Sequence, residues 1–476
     1  MNAMRNNRKI LPGLNASSFW FELKQAIKGT ESDYTKIGLR KAIFLLSIPM
    51  ILELVMESTF AVVDIYFVGK LGASAVATVG LTETYLFLLY SVAMGLAVAV
   101  TAIVARRIGE KKKRAAGYTA VQAIFIGLMI SLPFAIAGIF YSKELLALMG
   151  ADEWSIQYGY RYTQWMLGSN AVIVLLFVIN AIYRGAGDAA IAMKVLWIAN
   201  GINIILDPIL IFGFGPIPAF GIEGAAIATT IGRGTGVAIQ LWILFRGGKH
   251  IRINRSQIAW SYSIVRNIIQ RSLGGVGQML VAMTSWIFLM RILADIGSEA
   301  VAGATIALRI MLFTLMPAWG FANAAATLVG QNLGADRPDR AESSVWKTGI
   351  YNMYFMVSVS IIYFLFNEEL MSFFTSDADV IRIGSEWIQI LSYSYFVYGW
   401  WMVSVQAFNG AGDTVTPTKI NLVFFWLIQI PLAWYLAILL DWQHSGVFWA
   451  VFFTETSAGL FTLWLFTKGK WKSVKV

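Results

Sequence analysis

The chain has 476 residues, of which 58% are hydrophobic and only 13% charged. Soluble domains carry about a quarter charged residues, so this composition cannot clothe a water-soluble fold of this size. With no cysteine and only two histidines, His250 and His444, disulfides, thiolate metal sites and histidine-based catalysis are excluded. The net charge of +10 is gathered in short Lys/Arg segments between apolar runs, the pattern of membrane topology rather than of a nucleic-acid surface.

The first segment, 1–41, is expected in the cytoplasm, without a cleavable signal. Its stretch from Phe19 to Lys28 reads either as an amphipathic helix lying on the inner face or as a mobile tail. A spanning helix needs about 20 mostly apolar residues. Twelve such runs follow, at 42–68, 76–105, 118–141, 157–182, 190–213, 221–245, 270–293, 300–330, 346–366, 382–407, 415–440 and 445–467. The first six form a lobe at 42–245, the last six a lobe at 270–467, with a linker at 246–269 and a basic tail at 468–476. Basic residues collect before span 1 (Arg5, Arg8, Lys9, Lys24, Lys28, Lys36, Arg40, Lys41), after span 2 (Arg106 to Arg114), after span 6 (Arg246, Lys249, Arg252, Arg255) and after span 12 (Lys468 to Lys475). The opposite loops at 213–221 and 441–446 have none. The positive-inside rule then places both termini in the cytoplasm of a multi-pass protein of the plasma (inner) membrane.

The two halves repeat at an offset of 225. Gly185-Ala186-Gly187-Asp188 recurs as Gly410-Ala411-Gly412-Asp413, and Gly72, Gly95, Gly109, Glu144 and Lys194 meet Gly297, Gly320, Gly334, Glu369 and Lys419. Six spans return the chain to its starting side, so the lobes share one orientation about a pseudo-two-fold axis along the membrane normal, a transporter arrangement. The Gly-Ala-Gly-Asp segments read as tight turns with the Asp capping the next helix; a phosphate loop would need a preceding strand and a lysine.

Function is sought where the repeat breaks. A carboxylate in hydrocarbon costs about 2.5–3.5 kcal/mol on insertion scales. In span 1, Glu53, Glu57 and Asp64 share a helix face, and their repeat mates are Gln278, Ala282 and Leu289. In span 5, Asn203 and Asp207 stand one turn apart before Pro208 and face Ile428 and Leu432. Glu83 of span 2 faces Leu308, while Glu455 of span 12 breaks the pattern the other way, against Thr230. Asp64, Asp207, Glu83 and Asn203 fall in the outer half of the first lobe. They could bind H⁺ or Na⁺ that drives transport, or act as polar glue between helices. Glu53 could sit in a wet inner vestibule, and Arg233, Arg309 and Glu455 could contact substrate or pair between helices. The run from Tyr393 to Met402, with Tyr398 and Trp401, could line a pocket for flat amphipathic cations or simply pack helices.

Pro49, Val63-Asp64 and Phe67-Val68-Gly69-Lys70-Leu71-Gly72 resemble the first-span signature of multidrug and toxic compound extrusion (MATE) transporters. So do Tyr183-Arg184-Gly185-Ala186-Gly187-Asp188 and Leu328-Val329-Gly330-Gln331-Asn332-Leu333-Gly334-Ala335, and the resemblance runs from about Lys41 onward. It implies an all-α twelve-span antiporter exporting drugs or organic cations, not an enzyme, with H⁺ or Na⁺ in place of any cofactor. Asp64 matches the family's first-span Asp; Asp207 and Asn203 match the fifth-span pair of the branch resembling DNA-damage-inducible protein F, and Asn180 an Asn of the same network. Glu57 and Glu83 extend the coupling set, and Glu53, Arg309, Tyr398, Trp401 and Met402 are the candidate substrate-lining residues. The expected partners are small amphipathic or cationic molecules and the bilayer, not nucleic acid. The rival reading is a flippase for lipids or lipid-linked sugars, which would want several deep cations where only Arg233 and Arg309 qualify.

Overall fold

The computed structural model describes residues 16–247 and 250–476; Arg5, Arg8, Lys9 and Lys249 of the basic segments lie outside the described residues. A short helix, α1 (Ala16–Lys28), leads into the first lobe: α2 (Leu39–Gly69), α3 (Ala73–Gly109), α4 (Lys113–Leu148), α5 (Ser155–Ala186), α6 (Ala189–Phe212) and α7 (Ile222–Arg246). The second lobe follows as α8 (Tyr262–Ile296), α9 (Ser298–Gly334), α10 (Pro338–Ser372), the pair α11 (Ala378–Ser392) and α12 (Tyr395–Ala411), α13 (Val415–Leu439) and α14 (Gln443–Thr467).

Among the described residues ten of these helices are long and apolar enough to cross a membrane. The two expected spans outside that set have local reasons. α7 carries Glu223, Arg233 and a Gly/Thr-rich face. The run expected at 382–407 breaks at Tyr393–Ser394 into α11 and α12. There the Ser392 and Ser394 hydroxyls donate to the carbonyls of Gln389 and Leu391 at 2.7 and 2.9 Å. Such back-bonds compete with the helical ladder. α5 has a similar discontinuity at Ser169, whose hydroxyl donates to the Trp165 carbonyl at 2.7 Å.

Each lobe has its own apolar core, one running through Leu96, Val100, Ile179 and Tyr183, the other through Trp387, Phe448 and Val403. The lobes meet through α2 and α3 against α8 and α9. Glycine makes that contact possible. A Cβ on Gly95 would lie 2.4 Å from the Val276 nitrogen, and one on Gly320 would lie 2.8 Å from the Ile51 nitrogen. Nearer the basic loops, Gly109 abuts the Gln331 backbone, Gly334 abuts Arg106, and the Gln331 amide donates to the Gly185 carbonyl at 3.0 Å. Toward the opposite end the facing helices part: Glu83 and Phe87 of α3 and Arg309 and Phe313 of α9 are exposed. The molecule is thus sealed at the end bearing the Lys/Arg segments and open at the other.

The repeated turns have the expected backbone, with Gly187 and Gly412 at φ 92° and 91°, a region that favours glycine. Their aspartates diverge. Asp413 caps α13, accepting the Thr416 amide at 3.1 Å and its hydroxyl at 2.6 Å. Asp188 does not cap α6 as its sequence position suggests; its carboxylate instead meets His250, 3.1 Å from the amide and 2.6 Å from Nδ1.

Candidate cation and substrate site

α6 and α7 lie unusually close because glycines of α7 face the backbone of α6. A Cβ on Gly232 would come within 2.6 Å of the Ala199 carbonyl, and one on Gly224 within 2.4 Å of the Leu210 carbonyl. Asn203 and Asp207 are held between these two contacts. Asp207 is fully buried, and neither carboxylate oxygen meets a hydrogen-bond donor among the described residues. Asn203, 2% exposed, gives its amide to the Thr229 hydroxyl at 3.0 Å and keeps its carbonyl oxygen Oδ1 unpartnered. Three oxygens of one helix turn therefore stand buried and without donors, although such groups are normally satisfied. Asp64 of α2, partly buried, interacts electrostatically with Asp207, with Glu83 and with Arg233, so the three acids expected to converge share one field. The buried Tyr162 lies in the same field.

Glu57 is differently placed. One oxygen accepts from Arg233 at 2.6 Å, the other from Asn200 at 3.1 Å. The Arg233 guanidinium also lies 5.1 Å from the Phe60 ring centroid. Glu57 is thus the counter-ion of a buried arginine. Glu53, 3% exposed, accepts from Arg184 at 2.9 Å and Asn180 at 3.1 Å, and the Asn180 carbonyl accepts from Gln240 at 2.5 Å. Glu53 therefore sits in a packed, ion-paired cluster rather than a wet vestibule. Asn180 belongs to that cluster, one helix over from Asn203 and Asp207.

In the cleft, Glu83 and Arg309 are both exposed and interact across the gap between lobes. Of Tyr398, Trp401 and Met402, only Met402 is closed off in the core; the two aromatics are half-buried. Met402 is 3% exposed in the second-lobe core, and Tyr398 and Trp401 pack on each other at 4.9 Å. An aromatic and Met run has the same spacing whether it lines a pocket or fills a core. Glu455 of α14 interacts with Tyr398 and Tyr395 and has no ion pair among the described residues. Arg184, Asn200, Thr229 and Gln240 are site residues that sequence reasoning passed over. Among the described residues no three acidic or histidine side chains are close enough to hold a metal ion between them.

Two parallel six-helix lobes around a cleft sealed at one end, with Asp207 buried beside it and without a donor among the described residues, define a membrane transporter. The comparisons with known proteins are specific. The MatE family profile matches residues 49–209 and again 275–435, once per lobe, and the chain belongs to that family, the MATE transporters. It is 27% identical over 446 residues, 91% of this chain and 93% of the relative, to the probable multidrug resistance protein NorM of Thermotoga maritima. It is 26% identical to the FAD transporter of Shewanella oneidensis, over 82% of this chain and 86% of the relative. Among solved structures, the outward-facing conformation of a multidrug resistance MATE family transporter superposes with a TM-score of 0.85 at 25% identity, covering 92% of this chain and 97% of that one.

Proposed function

We propose that this transporter exports amphipathic, cationic drug-like molecules in exchange for a small cation, H⁺ or Na⁺, bound in the first lobe by Asp207 and Asp64 with Asn203. The observation that carries the reading is the Asp207–Asn203 turn, whose three buried oxygens meet no donor among the described residues. A proton would give one of them a hydrogen to donate, and a sodium ion would supply charge to oxygen ligands. Either neutralises a carboxylate held in hydrocarbon. With the basic loops in the cytoplasm, the open end faces outward. In that state the cation enters from outside and α2 and α6 shift. The lobes then rock to open the cytoplasmic end. Exchange requires only that cation and substrate favour different states.

The multidrug relatives support the drug-like cargo. An anionic cargo, as the Shewanella relative's name implies for that protein, would need positive charge in the cleft. Here Arg233 is neutralised by Glu57, and the exposed Arg309 faces Glu83. The test is drug uptake into proteoliposomes under separate pH and Na⁺ gradients, in the parent protein and in Asp64→Asn and Asp207→Asn. Gradient-driven uptake in the parent, lost in both variants, is the expected result. Full activity in both variants would remove the first-lobe cation site, and the effective gradient identifies the ion.

A further inference from the structure

Two segments outside the lobes cross the seam at the basic end. Residues 29–38 link α1 to α2. Tyr34, 3% exposed, lays its ring on Gly187, where a Cβ would come within 2.7 Å of Cε2, and its ring lies tilted at 33° to that of His250, centroids 6.1 Å apart. Asp33 pairs with Lys111 of the first lobe at 2.8 Å. From the second lobe, Arg337 donates to the Thr35 carbonyl at 2.8 Å, and Arg340 to the carbonyls of Tyr34, at 3.1 Å, and Ile37. A third apolar cluster, separate from the two lobe cores, joins Ala26 and Tyr34 to Leu46 and Met50 of α2 and to Ala324 and Leu328 of α9.

Residues 469–476 do the same on the other side of the pseudo-two-fold axis. Trp471 is fully buried and stacked on Phe466 at 4.9 Å, which anchors the segment to the second lobe, as does the 2.5 Å pair of Lys472 with Glu342. Arg271 of α8 donates to the Lys475 carbonyl at 2.5 Å. From the first lobe, Arg106 donates to the Val474 carbonyl at 2.5 Å and Arg107 to Val476 at 3.2 Å. The Val476 side chain packs against the first-lobe core and on Gly412, where a Cβ would lie 2.5 Å from its Cγ2. Gly187 and Gly412 are repeat mates. The two Gly-Ala-Gly-Asp turns, which the cation site leaves unexplained, are thus the equivalent docking points of two unrelated segments.

We propose that residues 29–38 and 469–476 are paired latches that hold the basic end shut, and that Tyr34, Arg106, Arg271 and Arg340 are positioning residues for the step that opens it. Each segment is bonded to both lobes at once. When the lobes separate at that end, a segment of fixed length cannot keep both sets of contacts, so at least one set breaks. The arginines donate to backbone carbonyls, so release leaves charged side chains and peptide groups that water can solvate. That makes the closure strong but reversible. Because the latches tie the same two lobes, loss of either one shifts the balance toward the state open at the basic end.

This inference rests on the alternating-access reading, and the experiment separates the two. The chain has no cysteine, so Arg114→Cys and Ser343→Cys, exposed sites on opposite lobes at the basic end, accept a spin-label pair without background. Electron–electron distance measurements on the full chain in lipid nanodiscs are compared for the parent, Arg106→Gln/Arg271→Gln, Tyr34→Ala and Tyr34→Phe. In the first two variants a longer-distance population grows by on the order of tenfold or more, in the one because two charge-assisted hydrogen bonds are lost and in the other because a buried ring is lost from the seam. Tyr34→Phe, which keeps the ring on Gly187, matches the parent. A distribution unchanged in both Arg106→Gln/Arg271→Gln and Tyr34→Ala, each monodisperse, overturns the latches. The same spin pair in the parent, with and without the coupling ion and a drug, reports independently whether the basic end opens at all.

Discussion

Arg233 of α7 and Glu57 of α2 form a 2.6 Å ion pair inside the first lobe, in the same electrostatic field as the unpaired Asp64. One acid in this patch is already neutralised by the protein; Asp64 and Asp207 are not. The distinction sorts acidic residues that sequence alone treats alike.

Glu57→Gln should therefore weaken the fold. It strands a guanidinium whose side chain is 8% exposed, while Glu57 itself is 32% exposed. The loss should fall between the about 1 kcal/mol of an exposed pair and the about 3–5 kcal/mol of a buried one. Thermal unfolding in detergent measures it as a lowered Tm, and Arg233→Met in the Glu57→Gln background should recover part of the loss by removing the stranded charge.

Asp207→Asn should behave in the opposite way. Among the described residues Asp207 has no hydrogen bond to lose, and an isolated carboxylate in hydrocarbon costs about 2.5–3.5 kcal/mol. The variant should unfold at a temperature no lower than the parent while gradient-driven uptake disappears. A Tm drop as large as that of Glu57→Gln would mean that Asp207 is structural.

The 29–38 segment should stay docked across the working pH range. Burial alone would raise the Asp33 carboxyl, but hydrogen bonds from Lys111 and Thr35 outweigh it and hold the group at about 2 instead of the usual 3.8. A depressed acid stabilises the docked state above its ordinary value, and this contribution fades only as the pH falls through 3.8 toward 2. Amide hydrogen exchange at residues 33–37, corrected for intrinsic rate, should give equal protection at pH 8 and pH 5. A loss of protection between those values would mean that another group controls the segment.

Much of this was legible before any coordinates. The apolar runs fix the helices because the bilayer demands about 20 apolar residues per crossing, and the 225-residue repeat fixes the parallel lobes. The unequal repeat also singled out Asp64 and Asp207. The partners of Glu53 and Glu57 were not legible. Arg184 lies 131 residues from Glu53, and Arg233 lies 176 residues from Glu57. Only tertiary packing brings such residues together. The family resemblance groups Asn180 with Asn203, yet its amide turns toward Glu53. The latches left almost no sequence signal because their arginines bind backbone carbonyls, which every residue carries.

The seam itself gives the last prediction. Gly95 of α3 faces Val276 and Gly275 of α8 so closely that a Cβ would lie 2.4 Å from the Val276 nitrogen and 2.9 Å from the Gly275 carbonyl carbon. These neighbours are backbone atoms and cannot move aside as a flexible side chain would. All the nearest atoms belong to the second lobe, so Gly95→Val obstructs the closed seam first. The valine should leave folding nearly intact but exclude the state sealed at the basic end. Uptake should be abolished, because a carrier confined to one state cannot cycle. The Arg114→Cys/Ser343→Cys spin pair should then report only the longer distance. Retained transport with the short distance unchanged would show that α3 and α8 can slide past the added methyls, and that the seam is softer than its glycine contacts imply.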